Sequence, residues 1–460
     1  MTALAPMDTA QYRRAYDQFV TLSPLKHQPS FMHAARARGM ERFEKLGFPT
    51  TKHEEWKYTN IVPLTTIPFA PEPIRSSSGI HAGDISSLLP AGEKASRNVI
   101  VFVDGTYAPD LSRLGNADGV TLAGIAEALA KGGTLASRIE EHLGWHAPTD
   151  SNAFAALNTA FLNDGAYVHV SSKASVDDPI CILHVATATS GGRVTHPRTL
   201  IVVGEQARAT IIESYASLAD AQAPAFVNAA TEVVAAADSN VDHYLIQTNE
   251  PHSYHIGATQ VVLARGAHFS THTITIGTRF CRNTAGATLN GRDIECTMNG
   301  LYFVSGDQLV DNHTSIDHAQ PHCDSHELYK GILDGRSRAV FNGKVFVRKD
   351  AQKTDAKQTN RNLILSDDAI VDTKPQLEIF ADDVKCTHGA TIGQLDENAL
   401  FYLQSRGIGE EAARSLLTYG FADDVLKRIK VKSLRETLER ALFEGLRSRF
   451  GAVLAEIETN

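Results

Sequence analysis

The chain has 460 residues, 43% of them apolar, and carries 44 basic against 53 acidic side chains. This small acidic excess excludes a dedicated nucleic-acid binder, which needs a basic patch or stripe, and no apolar run reaches the roughly 20 residues of a membrane-spanning helix. Five scattered cysteines, Cys181, Cys281, Cys296, Cys323 and Cys386, form no CxxC pair; with no secretory pattern in Met1 to Gln18, they argue against a disulfide framework and for reduced thiols in the cytoplasm.

The length accommodates roughly two to four domains. Tyr12, Tyr16, Phe19 and Val20 recur at helical spacing, and Met32, Ala35, Met40, Phe43 and Leu46 mark a second helix ending at Gly47 and Pro49. The polar and aromatic stretch His53 to Asn60 either docks this helical arm on the body or is a capped helix start with a packed Trp56. Ile67 to Ala95 is rich in Pro, Ser and Gly and reads as a loop. Val99 to Val103 followed by Asp104-Gly105 reads as a strand with a tight turn. Three short helices are expected between Leu122 and Leu162, with Phe154, Leu157 and Phe161 as an apolar stripe. Residues 1–165 thus form an N-terminal helical and mixed domain.

Residues 166–393 read as strand after strand, among them Ile180 to Ala186, Thr199 to Val203, Ala209 to Tyr215 and Val241 to Gln247. Turn signals at Arg265-Gly266, Asn290-Gly291, Asn299-Gly300, Ser305-Gly306, Asp334-Gly335, Asn342-Gly343 and Asp367-Asp368 punctuate them. A run of this length without crossover helices argues against a doubly wound α/β fold. A sandwich would be large, whereas a β-solenoid buries a continuous core by stacking coil on coil, although no strict sequence repeat is visible. After Gly393 the apolar spacing turns helical again. Leu400, Leu403, Ile408, Ala412, Leu416 and Leu417 precede a last helix carrying Leu434, Leu438, Leu442, Leu446 and Phe450. Residues 394–460 are therefore a C-terminal helical domain whose stripe packs on the core or receives a partner.

Three stretches could carry chemistry. In Ile379 to Gln394, Cys386 and His388 alternate with Lys385 and Thr387, so on a strand both point to one face. Their Cα atoms would lie roughly 6.5–7 Å apart, too far for an easy single-ion chelate with bonds of about 2.0–2.3 Å. Either one of them ligates with help from another element or chain, or the pair is a buried thiol beside a hydrogen-bonded histidine. The second stretch, Asp311 to His326, supplies His313, His318, His322, His326, Cys323, Asp311, Asp317 and Asp324. Imidazole and thiolate suit iron, zinc or copper, but the spacing fits no zinc signature. If it is strand throughout, His322, Asp324 and His326 share a face and Cys323 lies opposite. It reads as an iron-loading or interface site, or as polar side chains laddering on a solenoid. The third stretch, Lys344 to Asn362, carries Gln352, Lys353, Lys357, Gln358 and Asn360 and reads as stacked amides. His142 and His146 lack the intervening glutamate of a zinc protease, and no phosphate-binding, dinucleotide or nucleophile-elbow motif occurs.

In combination these residues resemble a known family. Asp311-Asn-His-Thr-Ser-Ile-Asp-His318 leads on to Phe341-Asn-Gly-Lys344, Ala351 to Asn360 and Lys374-Pro-Gln-Leu-Glu-Ile379, then to Asp382 to Thr391 and Phe401-Tyr-Leu-Gln-Ser-Arg-Gly407. In this order they are similar to the SufD family, the non-ATPase subunits of the SufBCD iron–sulfur cluster assembly complex. The likeness is dense over residues 300–430 and reaches weakly to His53 to Asn60. It implies a mainly β fold, a right-handed parallel β-helix core with α-helical N- and C-terminal domains. It implies a scaffold and not an enzyme, which pairs with SufB through the β-helices and binds the SufC ATPase through the C-terminal helices. The resemblance further implies a transient iron–sulfur cluster shared with SufB, with His388 as the metal ligand and Cys386 beside it; iron and reduced flavin are the other cofactors it brings in. SufB-type chains carry a glutamate-containing stretch where this one has Cys386 to Ala390. Ligation by a neutral imidazole should weaken below about pH 6. A homodimer of the isolated chain stays open, as do two other classes: a stand-alone metal-dependent enzyme using His313 to His326, and a carbohydrate-active β-helix enzyme, against which the missing export signal counts.

Overall fold

The computed structural model describes residues 9–22, 25, 28–67, 69–71, 80–90, 92, 96–115, 118–187, 193–218, 224–248 and 252–450. Part of the stretch Ile67 to Ala95 lies outside them. The strands in chain order are β1 (Ala70–Pro71), β2 (Asn98–Val103), β3 (Thr106–Tyr107), β4 (Val120–Gly124), β5 (Gly165–Val170), β6 (Ile180–Ala186), β7 (Arg193–Thr195), β8 (Arg198–Val203), β9 (Arg208–Ser217), β10 (Ala225–Ala235), β11 (Asn240–Thr248), β12 (Ser253–Leu263), β13 (His268–Ile276), β14 (Phe280–Leu289), β15 (Glu295–Val304), β16 (Leu309–His318), β17 (Asp324–Leu333), β18 (Arg338–Val347), β19 (Asp355–Ile364), β20 (Ile370–Ile379) and β21 (Lys385–Gly393).

From β8 onward, even-numbered strands stack into one sheet and odd-numbered strands into a second. Each strand pairs in parallel with the one two places on, which makes a parallel β-solenoid of about seven turns. The fold is mainly β, as expected, with helices at both ends. Alternation along each strand sends every second side chain inward. Val233, Val261, Ala287, Ile316 and Val345 are in register from β10 to β18, and all are buried. Such a ladder is one row of the continuous core.

One corner recurs in successive coils. Gln206, Asp238, Gly266, Asp293, His322 and Lys353 all adopt φ between 56° and 65°, and the corners stack by backbone bonds such as Asp238 N–H to Arg265 O (2.9 Å) and His322 N–H to Gln352 O (2.9 Å). The turn expected at Arg265-Gly266 is this corner. Those expected at Asn299-Gly300 and Asn342-Gly343 are not turns: both dipeptides lie inside strands, β15 and β18. A Cβ on Gly300 would lie 2.3 Å from the Tyr329 ring, and one on Gly343 2.3 Å from Gln358 Nε2. These glycines make room for neighbouring side chains inside the coil.

Before the solenoid, Val99 to Val103 is indeed a strand, and Asp104 (φ 47°) and Gly105 (φ 80°) turn it back into β3. Helices Ile125–Lys131, Gly133–His142 and Ala153–Ala160 are the three expected. The last packs with Tyr12, Tyr16, Phe19, Met40 and Phe43 of helices Thr9–Phe19 and Ser30–Leu46. After the solenoid come Glu397–Ser405, Glu410–Leu426 and Lys432–Phe450. The predicted stripe Leu434, Leu438, Leu442 and Leu446 is buried in one cluster with Tyr244, Ile274, Leu301 and Ile332 of the odd-numbered sheet. Lys330 pins this contact, donating to Phe421 O (2.8 Å) and Asp424 Oδ2 (2.6 Å).

Candidate functional site

The solenoid ends on β21, which pairs with β19 alone. Cα partners are Ala356 with Cys386, Gln358 with His388 and Asn360 with Ala390. In β19 these three positions face inward and are buried. Cys386 and His388 therefore continue inward rows, but no further coil covers them among the described residues. Cys386 is half-buried against the cluster of Val345, Val347, Ala351, Ala356 and Ala381, and burial pushes its thiol up. That keeps it protonated and a poor ligand until something displaces the proton. His388 is exposed. The strand geometry keeps the two side chains on one face, as the alternation predicts. Apolar side chains rim this end: Ile370, Ile379, Phe380 and Ile392 are 39 to 59% exposed.

The Asp311 to His326 stretch is dispersed. His313 faces out of β16 and bridges Asp311 Oδ1 (3.0 Å) and Glu55 Oε2 (3.1 Å). His318 points inward and bonds Ser325 Oγ (2.9 Å). His322 is a corner residue and not part of a strand, so it does not share a face with Asp324 and His326, as an unbroken strand would require. Cys323 is buried and donates to Gly291 O (3.2 Å). Among the described residues, no group of three or more His, Cys, Asp and Glu side chains is gathered closely enough to hold a metal ion.

What the stretch does instead is receive His53 to Asn60. Arg282 ion-pairs with Asp311 and stacks 3.7 Å from the Trp56 ring centre. Thr59 Oγ1 donates to Asp311 Oδ2 (2.5 Å), and Lys374 pairs with Glu54 (2.5 Å). The docking reading of this segment holds. A cleft of about 370 Å³ opens beside it, lined by Trp56, Arg282, His313, Ser315, Lys344 and Gln376 among others.

The interior carries polar groups that the sequence did not flag. Glu213 is fully buried and takes hydrogen bonds from Thr199 (2.8 Å) and Tyr215 (2.8 Å), with His243 Nε2 at 3.3 Å. Burial works against its ionisation, but His243 and its other partners hold it at about 2. The available signal was one acidic residue inside the strand-like run Ala209 to Tyr215. Of the polar run Lys344 to Asn362, only part turns inward: Gln358, Asn360 and Asn362 are buried, with Gln358 Nε2 donating to Glu327 Oε2 (2.7 Å) and Asn362 Nδ2 to Asn360 Oδ1 on the same strand (2.7 Å), whereas Lys353 and Lys357 are exposed.

Comparison with known proteins adds a family. Residues 184–421 match the family model "SUF system FeS cluster assembly, SufBD core domain", and residues 7–182 match "SufBD protein N-terminal region". The chain is 31% identical to the iron–sulfur cluster assembly protein SufD of Escherichia coli over 401 residues, 86% of this chain and 89% of that one. It is 32% identical to an iron–sulfur cluster assembly SufBD family protein of Synechocystis, covering 86% and 87%. With SufD of Bacillus subtilis the identity is 26%, over 90% and 94%.

Proposed function

The chain belongs to the SufBD family of the SUF iron–sulfur cluster assembly system, and on that premise we propose that it is the SufD-type scaffold subunit, paired with SufB and bound by the SufC ATPase in the cytoplasm. The nascent cluster is its cargo, held at the SufB–SufD interface with His388 as a ligand. The observation that carries this reading is the uncovered end of the solenoid. β20 and β21 are edge strands with unpaired backbone groups and an apolar rim, the kind of edge that another sheet extends. His388 stands there exposed, and among the described residues no group of three or more ligand side chains gathers there. A partner's side chains would complete the coordination. We place iron and reduced flavin in the assembled complex, not on this chain alone.

The SufC-binding surface in this reading is helix Glu397–Ser405, where Phe401 is 71% and Tyr402 56% exposed. The other C-terminal helices already cover the odd-numbered sheet, so removing everything after Gly393 would strip the core as well as the docking site. Point changes are the cleaner test. Co-expressed with SufB and SufC, His388→Ala should leave the ternary complex intact and abolish the visible absorbance of a reconstituted cluster. Phe401→Ala with Tyr402→Ala should lose SufC and keep SufB. Normal cluster formation in the His388→Ala complex would overturn the ligand assignment.

A further inference from the structure

The inward row that His388 terminates contains two polar residues behind it. Glu327 on β17 is in register with Gln358 on β19, which is in register with His388 on β21. Adjacent strands lie about 4.8 Å apart, so the Gln358 amide sits one rung from the imidazole.

That amide is fixed. Gln358 is 1% exposed, and its Nε2 donates to Glu327 Oε2 at 2.7 Å. It occupies the space that Gly343 leaves by having no side chain. With the NH₂ end committed to Glu327, the carbonyl end is the free one. Gln358 Oε1 is buried and has no hydrogen-bond partner. A buried polar atom left unpaired is uncommon and calls for a donor. Of the side chains that follow on β21 in inward rows, Cys386, His388, Ala390 and Ile392, only His388 offers an N–H.

We propose that Gln358 is a positioning residue for His388: its side-chain carbonyl accepts one ring N–H, which holds the imidazole in a single tautomer and turns the other nitrogen, unprotonated, toward the interface. Glu327 acts one step further back by fixing which way the Gln358 amide points. Metal-bound histidines commonly have their second nitrogen tied in this way, and loss of the tie weakens metal binding about 10- to 100-fold. The inference rests on the reading of His388 as a ligand, but its first test does not depend on the cluster.

That test is ¹⁵N NMR of the ring nitrogens in the full chain, metal-free and at a pH where the imidazole is neutral, with His388→Gln to assign the signal. The wild type should show one tautomer. Gln358→Met keeps the volume and should give a mixed population; Glu327→Gln keeps an acceptor for the amide and should retain the single tautomer. Thr314, in register with Gly343, and Thr373 on β20 also carry buried hydroxyls without a partner; as controls for a competing donor, Thr314→Val and Thr373→Val should each leave the tautomer unchanged. In the complex with SufB and SufC, Gln358→Met should lower cluster retention about 10- to 100-fold. An unchanged single tautomer in folded Gln358→Met would overturn the proposal, whatever happens to the cluster. If instead His388→Ala has no effect on cluster formation while the tautomer responds to Gln358→Met, the ligand reading fails and the hydrogen bond stands.

Discussion

Asp311 has no exposed surface, yet it answers Arg282, His313 and the Thr59 hydroxyl at once. Burial alone would raise its carboxyl, but Arg282 and His313 outweigh it and hold the group at about 2. Burial likewise pulls His313 down, and Asp311 together with Glu55 more than reverses this. Breaking a buried pair strands its partner's charge, so Asp311→Asn should cost about 3–5 kcal/mol, read as a lower urea midpoint. Glu54→Gln, at the exposed pair with Lys374, should move the midpoint little. Residues 311–318 and 53–60 are both conspicuous in the sequence. That they meet is not, because the contacts span 252 and 258 positions. Local spacing carries no such information. The shared face of Cys386 and His388 was legible because a strand's period is two. Gln358 behind His388 was not, because the register between coils depends on the corner lengths.

At the level of the strand, the two Asn-Gly dipeptides show where local signals mislead. Gly300 and Gly331 stand opposite Tyr329 and Tyr302 on the neighbouring strand, each ring lying over the other strand's glycine. The pairs interlock β15 and β17. A Cβ at Gly331 would lie 2.1 Å from the Tyr302 ring, whose hydroxyl donates to Asn362 Oδ1 (2.5 Å). Gly331→Ala should therefore destabilise by about 1–3 kcal/mol through overpacking, measured by thermal or urea unfolding. Combined with Tyr302→Ala, the cost should fall below the sum of the two single changes. Asn-Gly is a turn signal because it tolerates positive φ. Here glycine is used for its missing side chain instead, and a composition rule cannot separate the two uses.

Across the whole molecule, a solenoid was legible from the strand run and from what did not interrupt it. The coil period was not, because cross-coil partners are separated by 27 residues in one place and 31 in another. The interior also mixes apolar rows with buried polar groups, and this sets the acid response. Burial pushes His184, His272 and His318 down to about 4 and His255 to about 3. An unfolded chain protonates these imidazoles near 6.5. Between about pH 6.5 and 4 the unfolded state therefore binds more protons, and stability falls as the pH drops. Burial raises Glu327 to about 7 and lifts Asp164 too; each opposes the trend above the unfolded carboxylate value, but the depressed imidazoles, His196 at about 3 included, outnumber them. Urea midpoints should peak near neutral pH and decline below about 6.

The uncovered last coil has a consequence for supply. A parallel coil contains no instruction about its own length: every rung is a template for the next, and β20 and β21 leave that template unused. Whatever matches the rung can add to it, a second copy of this chain included. The chain's own coils stop at β21, where the sequence turns helical, so any further rung has to come from another chain. On the proposed pairing, a cell that makes this subunit in excess of its partner is left with unterminated ends, so that pairing calls for balanced synthesis of the two chains.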